Sequence, residues 1–128
     1  MKPITQEWVD KAEGDWTSAR REVVVGVDPN YDLVSFLCQQ CAEKYLKARL
    51  QEDSVMFPKT HDLEKILGLL LPAYPLWSVM LQALDQLTDS AVNFRYPGQS
   101  ADEKEAKEAV EYCRGVRETV RLSLGLPV

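Results

Sequence analysis

The sequence predicts an all-α fold, an up-and-down four-helix bundle with one additional short helix, and three observations carry that prediction. Apolar residues recur at steps of three and four through four long segments. No segment sustains the alternating pattern of a half-buried strand. Turn residues separate the segments by connections short enough to favour antiparallel neighbours. With 128 residues, 45% hydrophobic and 27% charged, the chain reads as one folded domain over 1–128. A domain of that size buries roughly two thirds of the surface its unfolded form exposes, so it needs no staples.

The first helix carries Trp8, Ala12, Trp16, Ala19 and Val23 on one face. Thr5 or Asp10 can cap it, and it should stop near Gly26. Val27-Asp28-Pro29-Asn30 is a turn, because Pro fixes its own backbone angle and Asp and Asn fold back on the main chain. From Tyr31 to about Glu52, a second helix is apolar over a broad arc through Val34, Leu37, Cys38, Cys41, Tyr45 and Ala48, as a central helix should be. Its remaining face gathers Phe36, Gln40, Glu43, Lys44 and Lys47 into an arc of about 100°.

A short helix follows from Asp62 to Leu71, capped by Thr60 or Asp62. A fourth begins at Pro75 and runs through Trp77, Met80, Leu84, Leu87, Ala91 and Phe94 until Pro97-Gly98 stops it. Ser100 or Asp102 caps the last, whose Ala106, Ala109, Val110, Cys113, Val116, Val120 and Leu124 keep the core period. The acidic run from Asp102 to Glu105 suits the positive end of that helix.

The formal net charge of -5 opposes a general DNA-coating role but leaves room for a local basic site that takes a nucleotide or a short RNA. The longest apolar run, around Leu69-Leu70-Leu71, is far too short to span a bilayer, and the N-terminus has no apolar run, so no membrane association and a cytoplasmic location are expected. Cys38, Cys41 and Cys113 are odd in number and lie inside helical segments, unlike a disulfide framework. Cys38 and Cys41 have the gap of a zinc motif, but no second pair completes it, so the thiols read as small core groups and no metal or cofactor is expected. The three tryptophans fall in the apolar stripes and read as core.

Four stretches, in order, resemble the HEPN family: Trp16 in the first amphipathic helix, the run from Gln39 to Ala48, Pro58-Lys59-Thr60-His61-Asp62-Leu63, and Arg95-Tyr96-Pro97-Gly98. The resemblance implies a bundle of four long helices and a short one, a homodimer, and a gene paired with a minimal nucleotidyltransferase in a toxin-antitoxin module. Many relatives are metal-independent ribonucleases whose signature is an Arg followed after four to six residues by a His. This chain departs from that pattern. His61 is its only histidine, and the window after Arg95 holds Ser100, Ala101 and Asp102. Arginine stays protonated near neutral pH and cannot replace histidine in acid-base chemistry, so the sequence leans away from an enzyme.

The expectation is therefore a noncatalytic HEPN domain that binds a nucleotide, a nucleotidyltransferase partner, or both. Gln40, Glu43, Lys44, Lys47, Arg95 and Tyr96 form the candidate ligand-binding set. Lysines would meet phosphate, the amide would read a base edge, and Tyr96 would offer a flat surface to a base. Against this stands a plain solvated face, with Glu43 and Lys47 as an exposed ion pair contributing about 0.3–0.5 kcal/mol. Arg95 can equally serve the helix C-terminus or pair with Glu43. His61 reads as part of a helix-start turn and its capping bonds. Two other readings remain open: a ribonuclease toxin with a divergent site around Arg95, Tyr96 and His61, and an adaptor that only docks another protein.

Overall fold

The computed structural model describes residues 1–94 and 96–128. Helix α1 spans Pro3–Val23 and α2 spans Tyr31–Glu52. The short α3 spans Leu63–Leu70, α4 spans Leu81–Asn93 and α5 spans Glu103–Ser123. A 3-10 turn over Pro75–Met80 leads into α4. The chain is all-helical, with no strand among the described residues.

The ends of these helices follow from local chemistry, with three departures from the sequence reading. Pro3 opens α1, where its missing N–H is no loss. Neither Thr5 nor Asp10 caps α1. Instead Glu52, the last residue of α2, accepts hydrogen bonds from the Lys2 backbone N–H and the Thr5 hydroxyl, both at 2.9 Å, placing an anion at the positive end of α1. Helix α1 also stops at Val23, before Gly26, and Arg20 and Arg21 sit in its last turn. The third departure is α4, which does not start at Pro75. The ring of Tyr74 stacks on Trp77 with centroids 4.3 Å apart, and the tighter 3-10 turn carries the chain past that contact before the α-helix begins at Leu81. Asn30, Asp62 and Asp102 cap α2, α3 and α5, Asp102 in a full capping box with Glu105.

Helix α2 occupies the centre, packed against α1, α5, α4 and α3. Its Val34, Cys38, Cys41, Tyr45, Leu46 and Leu50 are fully buried, and they join Trp16, Ile66, Leu84, Leu87, Val116 and Val120 in one contiguous core. Burying each large aliphatic side chain contributes on the order of 1.5–3 kcal/mol. All three cysteines lie in this core as free thiols. Contacts with Cys38 and Cys41, together with burial, hold the Cys113 thiol well above the usual thiol range, so it behaves as a small apolar group. Trp16 is buried, whereas Trp8 and Trp77 pack partly buried against the core edge.

Candidate functional site

The face of α2 left over by the core is not a solvated stripe. Gln39, Glu43 and Lys47, spaced one helical turn apart, are all buried. The connection from α2 to α3 closes over them. Lys47 Nζ donates to Glu43 Oε2 at 3.0 Å and to the Thr60 carbonyl at 3.0 Å. It also lies 5.7 Å from the Trp8 ring centroid and 5.9 Å from that of Phe57, within range of cation–π attraction. Gln39 Nε2 donates to Glu43 Oε1 at 3.2 Å and to the His61 carbonyl at 3.3 Å. Glu43 and Lys47 do form an ion pair, but an interior one, since burial of a charge is tolerated only when it is paired and hydrogen-bonded.

His61 completes the cluster. Its Nδ1 lies 2.9 Å from Glu43 Oε1, and its side chain is 78% exposed. An ionised carboxylate can only accept, so Nδ1 carries the proton and Nε2 is left as the basic nitrogen, with no partner among the described residues. The α3 cap comes instead from Asp62, which accepts from the Glu64 and Lys65 N–H groups. Asp62, one of the two caps expected for α3, thus takes that role, while the imidazole of His61 in the same turn bonds Glu43 of α2. Burial pushes the Glu43 carboxyl up, but the hydrogen bonds from Lys47, His61 and Gln39 and the Lys47 charge outweigh it and hold the group below its ordinary value. Glu43 is therefore a fixed anion near neutral pH.

The other candidates divide. Gln40 is half-buried, and its amide N–H donates to Gln39 Oε1 at 2.7 Å, so a hydrogen-bonded chain runs from Gln40 through Gln39 to His61. Lys44 is turned away from this cluster into an ion pair with Asp15 of α1 at 2.6 Å. Tyr96 is largely exposed in the loop before α5. Arg95 lies outside the described residues, and with it the expected pairing with Glu43. That loop returns to α2 where the Ala101 N–H donates to Asp32 at 2.7 Å.

Sequence reasoning passed over two groups. Gln39 was read only as part of a run, although its place one turn before Glu43 and two before Lys47 is a signal of a shared face. The second group centres on Glu13 of α1, which accepts the Tyr45 hydroxyl and a bidentate pair from Arg117, at 2.9 Å from Nε and 2.5 Å from Nη2. Arg121 in turn donates to the Tyr45 hydroxyl at 3.0 Å. Burial lifts Glu13, but these donors and charges leave it below the ordinary carboxylate value, and burial beside Glu13 pushes the Tyr45 phenol far up. This network joins α1, α2 and α5 and has no exposed acid-base group.

Among the described residues, no group of three or more His, Cys, Asp or Glu side chains is placed to hold a metal ion. No described helix is long and apolar enough to cross a membrane.

The comparisons agree with this architecture. The family model described as HEPN domain matches residues 5–123. The crystal structure of ST0689, an archaeal HEPN homologue, superposes with a TM-score of 0.65 at 26% identity, over 96% of this chain and 98% of that one. No curated protein matches the chain. A helical bundle matched over nearly its whole length by one family model makes this chain a member of the HEPN domain family.

Proposed function

We propose that this HEPN domain is a noncatalytic homodimeric binding module for a nucleotide, a minimal nucleotidyltransferase partner, or both, within a toxin-antitoxin setting. The observation that carries it is the chain from Gln40 through Gln39 to His61, anchored on the buried Glu43–Lys47 pair. It holds an amide and an imidazole at the surface on a rigid frame, the arrangement a base-reading site requires. Gln40 and Tyr96 serve the base, Arg95 serves phosphate together with Lys44 once Lys44 exchanges Asp15 for the ligand, and Glu43 and Lys47 support the site from beneath. The Arg and His spacing of the catalytic relatives is missing.

Amide NMR titration with ATP, GTP and a short RNA tests the reading. Saturable shifts at Gln40, Lys44 and Tyr96 that vanish in the double variant Lys44→Ala, Arg95→Ala support it. Shifts at those amides that survive the double variant rule out the phosphate assignment, and their absence at millimolar ligand moves the function to partner docking.

One observation favours a second reading, the divergent ribonuclease. A carboxylate holding Nδ1 of an exposed histidine leaves Nε2 as a basic nitrogen able to take a proton from a ribose hydroxyl. RNA cleavage in the presence of a chelator, lost in His61→Ala, would establish that reading. Intact RNA under the same conditions would retire it.

A further inference from the structure

Helices α1 and α5 both pack chiefly on α2 and touch each other little, so a seam stays open between them. It forms a groove of about 730 Å³ near the C-terminal end of α1. Val23 and Val24 line it from one side and Val110 from the other, with Arg20 and Arg21 on the α1 wall. The apolar character continues past the groove into the connection to α2. Val24 is 76% exposed, Val27 is 78% exposed, and Val25 between them is exposed as well. Single exposed valines are ordinary, but this run beside an apolar groove makes a patch, the mark of an interaction surface.

Two cations of this groove are free to meet a partner. Lys107 pairs with Glu103 at 2.6 Å and Arg114 with Glu111 at 3.3 Å, whereas Arg20 and Arg21 have no carboxylate partner among the described residues. Arg20 lies over the Trp16 ring, 5.6 Å from its centroid, a stacking that leaves the donors at the guanidinium edge available. The negative end of α1 favours both arginines by about 0.3–1 kcal/mol each. It does not account for the valines around them. An aliphatic floor with two unpaired guanidiniums at its edge is complementary to aliphatic side chains flanked by carboxylates.

That chemistry favours a protein over a nucleic acid. Among the described residues the groove lining has no aromatic ring for a base to stack on, and the nearby Trp16 is buried beneath the guanidiniums of Arg20, Arg114 and Arg117. Glu111 lines the α5 wall and opposes a run of phosphates. Both walls are helices whose backbone groups are bonded internally, so they offer no strand edge to an extended peptide. A seam between two helices is filled by the side-chain ridge of a third. We infer that the α1–α5 seam docks an amphipathic helix of another protein, its aliphatic face laid over Val23, Val24 and Val110 and its acidic flank against Arg20 and Arg21. The seam shares no residue with the Gln40 and His61 surface, so this docking stands or falls apart from the proposed ligand site.

The full chain is panned against a phage library of amphipathic helical peptides whose flanking positions vary among Glu, Gln and Lys, and the enriched peptides are titrated by amide NMR. Glu-flanked peptides are expected, with saturable shifts at Arg20, Arg21, Val24 and Val110. Two substitutions at exposed positions test the two halves of the site, with circular dichroism and the melting transition staying those of the parent. Arg21→Glu should weaken a Glu-flanked peptide roughly tenfold or more and restore binding to its Lys-flanked counterpart, and Val24→Asp should weaken both. No enrichment, enrichment of neutral or Lys-flanked peptides, shifts elsewhere, or unchanged affinity in both folded variants overturns the inference. A sedimentation mass that doubles with concentration while the same amides shift gives the seam to a second copy of this chain. Shifts there with octauridylate but with no peptide give it to an anion, and either result also overturns the docking of a partner helix.

Discussion

Glu13 and Glu43 are two carboxylates placed in similar ways, each accepting hydrogen bonds from several donors and each held in its charged form, yet only one reaches solvent through a titratable group. Around Glu13 the donors are Arg117 and the buried Tyr45 hydroxyl, a cation that does not release its proton and a phenol held neutral. Around Glu43 they are a buried lysine, a buried amide and an imidazole that is 78% exposed. The first cluster is a brace between three helices. The second is a brace with a reactive edge, and chemistry at this protein's surface should be sought there.

The comparison breaks most sharply at Glu43. Glu43→Ala strands Lys47 with a buried charge and only the Thr60 carbonyl and two aromatic faces as partners. Breaking a buried pair from one side is expected to destabilise the fold by about 3–5 kcal/mol. Urea unfolding of Glu43→Ala beside the double variant Glu43→Gln, Lys47→Met measures it. The double variant should recover much of the loss, because replacing both partners with uncharged side chains of similar size leaves no stranded charge. An equal loss in both would mean that packing, and not the charge, holds this region.

Glu13→Ala should follow with a smaller loss, roughly 1–2 kcal/mol, since hydrogen bonds to charged groups contribute about 1.5–3 kcal/mol and this side chain is about one third exposed. Both carboxyls have folded values below the ordinary one of about 4.3, so the unfolded chain binds more protons in acid. Their contribution is fully present above the unfolded value and is lost as pH falls through the lower folded values. Stability measured from pH 6 downward should therefore decline below about pH 5, and Glu13→Gln should make that decline shallower. A pH profile identical to the parent's would remove Glu13 as a charged brace.

The contrast between these clusters also shows what a linear sequence reveals. The bounds of α2 at Tyr31 and Glu52 were legible, because the Val27-Asp28-Pro29-Asn30 turn sets its start and its apolar arc runs unbroken. The α5 cap at Asp102 was legible for the same local reason. Burial of Glu43 and Lys47 was not. Helical periodicity sorts residues by angle, and on a central helix every angle meets a neighbour, including the angle covered by the connection after Glu52. The contact that closes it, Lys47 to the Thr60 carbonyl, lies in that connection, beyond the helix. Trp8 and Phe57 were the available hint, since two aromatic rings of separate segments must pack on something, and a lysine stem with a cation suits them. Glu52 at the start of α1 escaped for a related reason: the cap comes from the far end of another helix, 47 residues from Thr5.

The smallest expected effect is the most discriminating. His61→Ala removes one of three donors to Glu43 while Lys47 and Gln39 keep theirs, and the lost ring is mostly in solvent. The resulting change should stay below about 1 kcal/mol, the range of exposed ion pairs. In the same variant, the side-chain amide resonances of Gln39 should hardly move, since that amide still bonds Glu43 and the carbonyl of residue 61. Urea unfolding with amide NMR on one sample reads both. A loss near that of Glu43→Ala would make the imidazole a strut of the fold. A small loss with an intact Gln39 amide would make it a group held out to solvent at little structural expense, as a residue that meets a ligand must be.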